Sequence, residues 1–273
     1  DVYDRYDRAG GLLIYGIPNF KLEKDIVQRR MKYLEESNIK IHLNTEIGKD
    51  IQFSDLQKKH DAVLIATGVY KAKEISLEGD ASKVVPALDF LIASNRKGLG
   101  DNVEAFDNGL LNAKGKNVVV IGGGDTAMDC VRTAIRQEAK SVKCLYRRDK
   151  ENMPGSAREV NNAEEEGVEF LWQSLPKKIE SDNSGNLLNC IKMKLSEPDS
   201  DGRRTPQEIA GSDFELESDL VIAALGFSPE NLPRMFEVEE LPVTKWGTVR
   251  VGFNTMMTSL EGVFAAGDIV RGA

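Results

Sequence analysis

The chain has 273 residues, 36 basic and 44 acidic side chains, a net charge of −8 and 41 % hydrophobic residues. That composition is globular and long enough for one large or two ordinary domains, and its negative charge argues against nucleic acid and anionic lipid as partners. No apolar run approaches the roughly 20 residues that span a bilayer, and the opening DVYDRYDRAGG lacks a signal-peptide pattern.

In chain order, residues 20–38 carry Ile26, Val27, Met31 and Leu34 at helical spacing, with Asn38 as the stop. Residues 39–48, IKIHLNTEIG, alternate like a half-buried strand. FSDLQKKH predicts a short helix with Ser54 as N-cap. DAVLIATG is a continuous apolar run ended by Gly68, as expected of a parallel strand buried on both faces. A helix is expected around PALDFLIASN, then a loop rich in glycine and asparagine to about Lys116. Residues 117–149 read as strand, glycine turn, helix and strand. A helix at 156–166 and the strand VEFLWQS follow. The stretch 177–219, with turn signals at Asn183-Ser184-Gly185 and Asp201-Gly202, predicts an antiparallel excursion around NCIKMKL and FELE. SDLVIAALGFSP returns to a buried strand ended by Gly226, and GTVRVG and GVFAAGD predict two more strands. Four runs, AVLIATG, VVVIGGG, LVIAALG and VFAAGD, share the pattern of a buried strand ending in glycine.

The second of these carries the sharpest chemistry. After a parallel strand the chain must turn into a helix. Gly122 permits the turn, and Gly124 lets a pyrophosphate approach the backbone. Ala127 takes the third small position of Gly-x-Gly-x-x-Gly/Ala. Asp125 is expected to cap that helix and to stay off the pyrophosphate. The second strand ends in Arg147-Arg148, where an NAD or FAD site places a carboxylate. Two guanidinium groups there suit a 2′-phosphate, so NADP(H) is expected. The plain alternatives are a bare βα turn and two solvated arginines.

Cys130, Cys144 and Cys190 are far apart and odd in number, so no disulfide framework and no metal site is expected, only reduced core thiols. Together with the absence of a leader this points to the cytoplasm. His42 and His60 are expected to be structural or superficial, and Glu164-Glu165-Glu166 to be a solvated helix end.

Taken together, GGLLIYGIPNFKLEK, HDAVLIATGVYKAK, ALDFLIASNRKG, GKNVVVIGGGDTAMDCVRTA, LYRRDKENMPGSAREV, ALGFSP and VFAAGDIVRGA run nearly end to end. On these motifs the chain resembles the small (beta) subunits of bacterial NADPH-dependent glutamate synthase. The resemblance implies an α/β fold of the disulfide-reductase-like flavoprotein type, with two interleaved dinucleotide-binding domains. A Rossmann-like NADPH-binding domain, residues 71–226, is inserted into an FAD-binding domain formed by residues 1–70 and 227–273. It implies hydride transfer from NADPH to FAD. Electrons then pass through iron–sulfur clusters to the large (alpha) subunit, which makes glutamate from glutamine and 2-oxoglutarate. Related subunits that serve ferredoxin or reduce pyrimidines share the class.

By resemblance, Gly122, Gly123, Gly124, Asp125, Thr126 and Ala127 line the pyrophosphate turn. Arg147 and Arg148 take the 2′-phosphate, and Arg158 either helps from the next helix or is a surface residue. Gly226 admits the nicotinamide. Gly11, Tyr15, Gly16, Ile17 and Pro18 face the isoalloxazine, Thr67 and Gly68 lie near the flavin, and Gly267 and Asp268 reach the ribityl chain. Hydride transfer needs no side-chain acid or base, so no catalytic residue is expected. The family's cluster-holding cysteine-rich domain is expected to be missing. So is its FAD fingerprint, a glycine-rich turn plus an acidic second-strand end, which leaves the FAD-binding domain incomplete. The isolated chain is therefore expected to hold NADPH and to be inactive alone.

Overall fold

The computed structural model describes residues 1–182, 185–198 and 204–272. Two compact units divide it. One comprises Asp1–Ile14, Lys24–Lys73 and Gly226–Ala273; the other comprises Tyr15–Glu23 and Glu74–Leu225. The short segment Tyr15–Glu23 thus lies inside the 1–70 stretch expected of the FAD-binding domain, yet packs with the other unit.

In the first unit, β1 (Val2–Tyr3) pairs in parallel with β2 (Ile41–His42). Between them run α1 (Leu12–Tyr15) and α2 (Lys24–Glu36). Asn38, at φ 63°, ends the second helix in the left-handed conformation that asparagine tolerates. The α3 helix (Phe53–Lys59) leads to β3 (Val63–Ile65) and β4 (Lys71–Ala72). Near the C-terminus come β14 (Phe227–Ser228), α8 (Leu232–Met235), β15 (Val263–Ala265) and α9 (Asp268–Arg271). β15 pairs in parallel with β3, and β14 pairs antiparallel with β4. The core of this unit gathers Phe53, Ile65, Leu232, Phe236, Val263 and Ile269, with Phe53 stacked on Phe236 at 5.1 Å.

In the second unit, β6 (Val84–Pro86), α4 (Ala87–Gly98), α5 (Glu104–Asp107), β7 (Asn117–Ile121), α6 (Asp125–Arg136), β8 (Ser141–Tyr146), α7 (Ala157–Glu165) and β9 (Glu169–Trp172) alternate as βα units require. With β13 (Leu220–Ala223) they form a five-stranded parallel sheet in the order β6-β13-β7-β8-β9. The excursion supplies β10 (Ser174–Asp182), β11 (Gly185–Leu195) and β12 (Pro206–Ser218), joined by β5 (Glu78–Gly79) into a second sheet ordered β12-β11-β10-β5.

The continuous apolar run of β7 now has its reason. Val118 and Val120 face a core with Phe90, Met128, Val131 and Val160 from the helices. Val119 and Ile121 face the opposite way, against Ile179, Leu188, Cys190 and Leu216 of the excursion. Helices therefore cover one side of the parallel sheet and the antiparallel sheet covers the other. A strand between two such layers cannot alternate apolar with polar.

Several local expectations fail for identifiable reasons. The strand over 39–48 shrinks to Ile41–His42, paired with Val2 and Tyr3, and two residues on, Asn44 enters the left-handed region at φ 51°. Ser54 lies inside the first turn of α3; Gln52 holds the N-cap position and no side chain caps it. Of the α2 stripe, Val27 is buried but Ile26 and Leu34 are exposed. The run DAVLIATG is not covered on both faces: Leu64 in β3 is 61 % exposed, and β15 is its one partner strand among the described residues. GTVRVG makes isolated bridges, Val243 to Val249 and Gly252 to Met257, not a strand. Asn183, Ser184, Asp201 and Gly202 of the turn signals lie outside the described residues.

The two-sided cover makes Leu188 a test. It is fully buried in β11. Leu188→Ala is expected to lower unfolding stability by about 2–5 kcal/mol, as for a core leucine. A change within about 0.5 kcal/mol in urea denaturation, the usual surface value, would show that the excursion is peripheral.

Candidate functional site

The parallel register Ile121↔Leu145 and Ile121↔Ala223 brings the ends of β7, β8 and β13 to one edge of the sheet. In open α/β sheets ligands bind at that edge. Gly122 follows β7 at φ 150°; a Cβ there would lie 2.3 Å from the Ala224 carbonyl oxygen, so only glycine fits. A Cβ on Gly123 would strike the Tyr146 ring at 2.4 Å. Gly124 is the N-cap of α6, and a Cβ there would meet nothing within 4 Å. Two glycines are thus demanded by packing, while the third leaves open space before a helix N-terminus. Ala127 is fully buried, and Thr126 half-buried.

Asp125 does not cap its own helix. Its Oδ1 accepts a hydrogen bond from the Ser156 backbone N–H at 2.9 Å, just before α7. The Gly155 N–H donates to the Gly123 carbonyl at 2.8 Å, and a Cβ on Gly155 would sit 3.0 Å from that oxygen. The segment between β8 and α7 is therefore pinned against the glycine turn. Gly155 was missed in the sequence, although Pro154-Gly155 is an ordinary turn signal.

At the end of β8, Arg147 is exposed and Arg148 half-buried. Arg148 Nε is buried without a hydrogen-bond acceptor among the described residues, and a buried unsatisfied donor calls for an explanation. Asp149, next in line, turns away: its Oδ1 accepts from the backbone N–H and side-chain amide of Asn152 at 3.0 and 2.6 Å. The carboxylate that would repel an anion is thus spent on its own turn. Arg158 is exposed in the first turn of α7.

The segment Tyr15–Glu23 carries four of the residues expected to face a flavin, Tyr15, Gly16, Ile17 and Pro18, and is held by helices of the second unit. Lys21 Nζ donates to Asp129 at 2.8 Å and pairs with Glu159 at 3.2 Å. The Phe20 ring lies under the guanidinium groups of Arg136 and Arg132, at 3.8 and 4.8 Å. Arg132 binds Glu159 and Glu166, each at 2.7 Å, and Arg136 binds Glu166 at 2.6 Å. Glu166 is therefore not a solvated helix end; Glu164, paired with Lys150, lies nearer solvent. Burial pushes Asp129 up despite the bond from Lys21. Burial alone would also raise Glu159, but Arg132 and Lys21 together hold it below its usual range.

In the first unit a cleft of about 680 Å³ opens beside β1 and β3. Of the residues expected near a flavin, Gly11 and Thr67 line it. Gly68, at φ 67°, follows Thr67. Gly267, at φ 82°, precedes α9, which starts at exposed Asp268. The register Ala265↔Ile65 puts both pairs beyond the same ends of two parallel strands. Gly226 sits at φ 87°, its carbonyl accepting the Lys73 N–H at 3.0 Å. One acidic residue at a strand end does face this cleft. Asp4 directly follows parallel strand β1 and lines the cleft; it was legible only once that two-residue piece was known to be a strand. Beside it Arg5 is bonded to Glu230 at 2.9 Å and lies over the rings of Tyr6 and Tyr70. Burial raises the Tyr70 hydroxyl to about 12.

His42 stacks on Tyr3 and bonds Asp1, while His60 meets the Tyr3 hydroxyl at 3.1 Å, which gives both histidines structural places. The cysteines are free and buried, and burial pushes the Cys144 and Cys190 thiols up to about 12. Among the described residues no group of three or more His, Cys, Asp or Glu is placed to hold a metal, and no helix is long and apolar enough to cross a membrane.

Residues 48–273 match the pyridine nucleotide-disulphide oxidoreductase family. The chain belongs to that family. It is 59 % identical over 273 residues to a glutamate synthase [NADPH] small chain of Azospirillum brasilense, covering all of this chain and 57 % of that protein. It is 44 % identical over 278 residues to the small chain of Escherichia coli K12, with 58 % of that protein covered. The resemblance read from the motifs is thus met by whole-chain relatives, and the chain spans little more than half their length. Among solved structures, Mycobacterium tuberculosis FprA in complex with NADPH superposes with a TM-score of 0.78 at 17 % identity, over 99 % of this chain and 72 % of that one. At that identity the likeness establishes the fold, that of the two-dinucleotide-binding-domain flavoproteins.

The ion-pair network sets a pH dependence. The guanidinium of Arg136, with Arg132 beside it, holds the Glu166 carboxyl down from its usual 4.5 to about 2. A carboxyl depressed in the folded state stabilises fully above its unfolded pKa and loses that contribution as pH falls through the folded one. The stability difference between wild type and Glu166→Gln is therefore expected to be constant above about pH 5 and to shrink between about pH 4.5 and 2. Urea midpoints across that range measure it; a difference independent of pH would rule the ion pairs out.

Proposed function

We propose that this chain is the NADPH-binding portion of a glutamate synthase small subunit, which passes hydride from NADPH to FAD. The observation that carries this reading is the pairing of an open helix N-terminus at Gly124 with Arg147 and Arg148 beyond the adjacent strand. The orphaned Nε of Arg148 fits an incoming anion. The relatives named as NADPH-dependent small chains support the same choice.

In this reading the turn Gly122–Ala127 holds the pyrophosphate against the positive end of α6. Arg147 and Arg148 grip the 2′-phosphate with charge-assisted bonds, and Arg158 adds long-range attraction from α7. Gly226 presents no side chain, so the nicotinamide can approach closely. For FAD, the cleft in the first unit is lined by Asp4, which would accept from ribose hydroxyls as an acid at a strand end does, and Asp268 at the start of α9 would do so for the ribityl chain. Of the first unit, Gly11, Thr67, Gly68 and Gly267 would face the flavin; of the second, Tyr15, Gly16, Ile17 and Pro18 are proposed as flavin-facing residues. FAD, when bound, supplies the hydride acceptor. The chain's own task is to stack two rings and exclude water, so no residue is assigned as acid or base.

The remaining steps belong to the longer protein. In that longer protein, iron–sulfur clusters outside this chain would carry electrons on to the large subunit, which would make glutamate from glutamine and 2-oxoglutarate in the cytoplasm. The isolated chain binds NADPH and is inactive alone.

Calorimetric titration tests the reading. The double variant Arg147→Ala/Arg148→Ala is expected to bind NADPH about 10- to 100-fold more weakly, from lost charged hydrogen bonds of about 1.5–3 kcal/mol. NADH affinity should stay within about two-fold, since it lacks the 2′-phosphate. Equal losses for both, or none for either, would remove the arginines from the site.

A further inference from the structure

We infer that Asn95 is a positioning residue: its side-chain amide fixes the turn Tyr15–Pro18 to α4, with Lys21 as a second fastening on α6. The importance of that turn for hydride transfer rests on the function proposed above; the fastening itself does not.

The chain leaves the first unit after Ile14, packs with the second unit from Tyr15 to Glu23, and returns at Lys24. Asn95 sits on the buried face of α4 among Leu88, Phe90, Leu91 and Ala93. Asparagine is a poor helix former, and a buried amide costs free energy unless its groups are bonded. Here the Nδ2 group spends both hydrogens on one target, the Tyr15 carbonyl at 2.8 Å and the Ile17 carbonyl at 3.2 Å. Its neighbour Arg96 lies over the Tyr15 ring at 5.3 Å. Two carbonyls two residues apart, captured by one rigid fork, fix the direction of the turn as well as its distance.

The second fastening comes from one face of α6. Asp129, Arg132 and Arg136 are spaced by three and four residues, the spacing that aligns side chains on a helix. They hold Lys21 and the Phe20 ring. The N-terminus of this helix is the open Gly124 turn. One rigid element thus carries the proposed pyrophosphate site at its start and the fastening of the flavin-facing segment along its side. The placement of Tyr15–Pro18 is set by the pyridine-nucleotide unit, not by its sequence neighbours.

Hydrogen exchange on the 273-residue chain tests the fastening without any flavin. Asn95→Asp keeps size and shape but removes both donors and sets a carboxylate against two carbonyls. Amides of residues 16–23 are expected to exchange about ten-fold or more faster in Asn95→Asp and in Asn95→Ala, with α6 amides within about two-fold of wild type. Wild-type exchange of 16–23 in both Asn95→Asp and Asn95→Ala would overturn the inference, because each change removes the two donors on which the fastening depends. Lys21→Met should loosen residues 19–23 more than 15–17. In a longer, flavin-loaded protein, Asn95→Asp is expected to slow flavin reduction by NADPH about ten-fold in single turnover, with NADPH affinity within about two-fold. An unchanged rate would overturn the positioning role. Failure of the wild type to bind NADPH would instead strike the proposed function, and the positioning role with it, leaving the exchange result to stand for the fastening alone.

Discussion

The proposed pyridine-nucleotide site hangs on the parallel register of β7 with β8 and β13. Because Ile121 lies level with Leu145 and with Ala223, the glycine turn, the two arginines and the end of β13 emerge on one edge. The same closeness makes Gly122 obligatory, since the Ala224 carbonyl occupies the place of a side chain. A slip of one residue would turn Val118 and Val120 from the helix layer toward the excursion layer and break both cores. Register and site are therefore one constraint, enforced by apolar burial on two sides.

Charge does the second piece of positioning. Lys21, Arg132 and Arg136 face Asp129, Glu159 and Glu166, three positive groups against three negative ones, all partly withdrawn from water. Isolated surface pairs contribute little, but here Glu159 and Glu166 each meet two cations and the guanidinium groups also cover an aromatic ring. Such a network specifies one docking geometry for Tyr15–Glu23 more than it adds stability, because desolvation offsets much of the Coulomb attraction. Asn95 completes that geometry with neutral bonds that salt does not screen.

The first unit is organised differently. Its strands form pairs, β1 with β2, β3 with β15 and β4 with β14, and the cleft beside β1 and β3 leaves apolar Val2 and Leu64 exposed. Relatives of nearly twice the length share this region over the whole of the present chain.

What the sequence determined by itself was whatever depends on local chemistry. The apolar run ending in glycines fixed β7 and the turn before α6. The arginine pair at 147–148 marked the end of β8, and the polar excursion announced an antiparallel sheet. The motifs together carried the family. Tertiary structure decided everything that depends on which neighbour a group finds. DAVLIATG and VVVIGGG read alike, yet one has a single neighbouring strand and an exposed Leu64 while the other is sealed between two layers. Asp125 reads as a helix cap and instead holds the start of α7, because the segment before Ser156 folds back over the turn. Glu166 reads as a solvated end and is drawn down to about 2 by arginines 30 and 34 residues earlier. Tyr15–Glu23 reads as part of the unit that flanks it and belongs to the other, since the amide of Asn95 and the carboxylate of Asp129, distant in sequence, supply the bonds its backbone carbonyls and its lysine require.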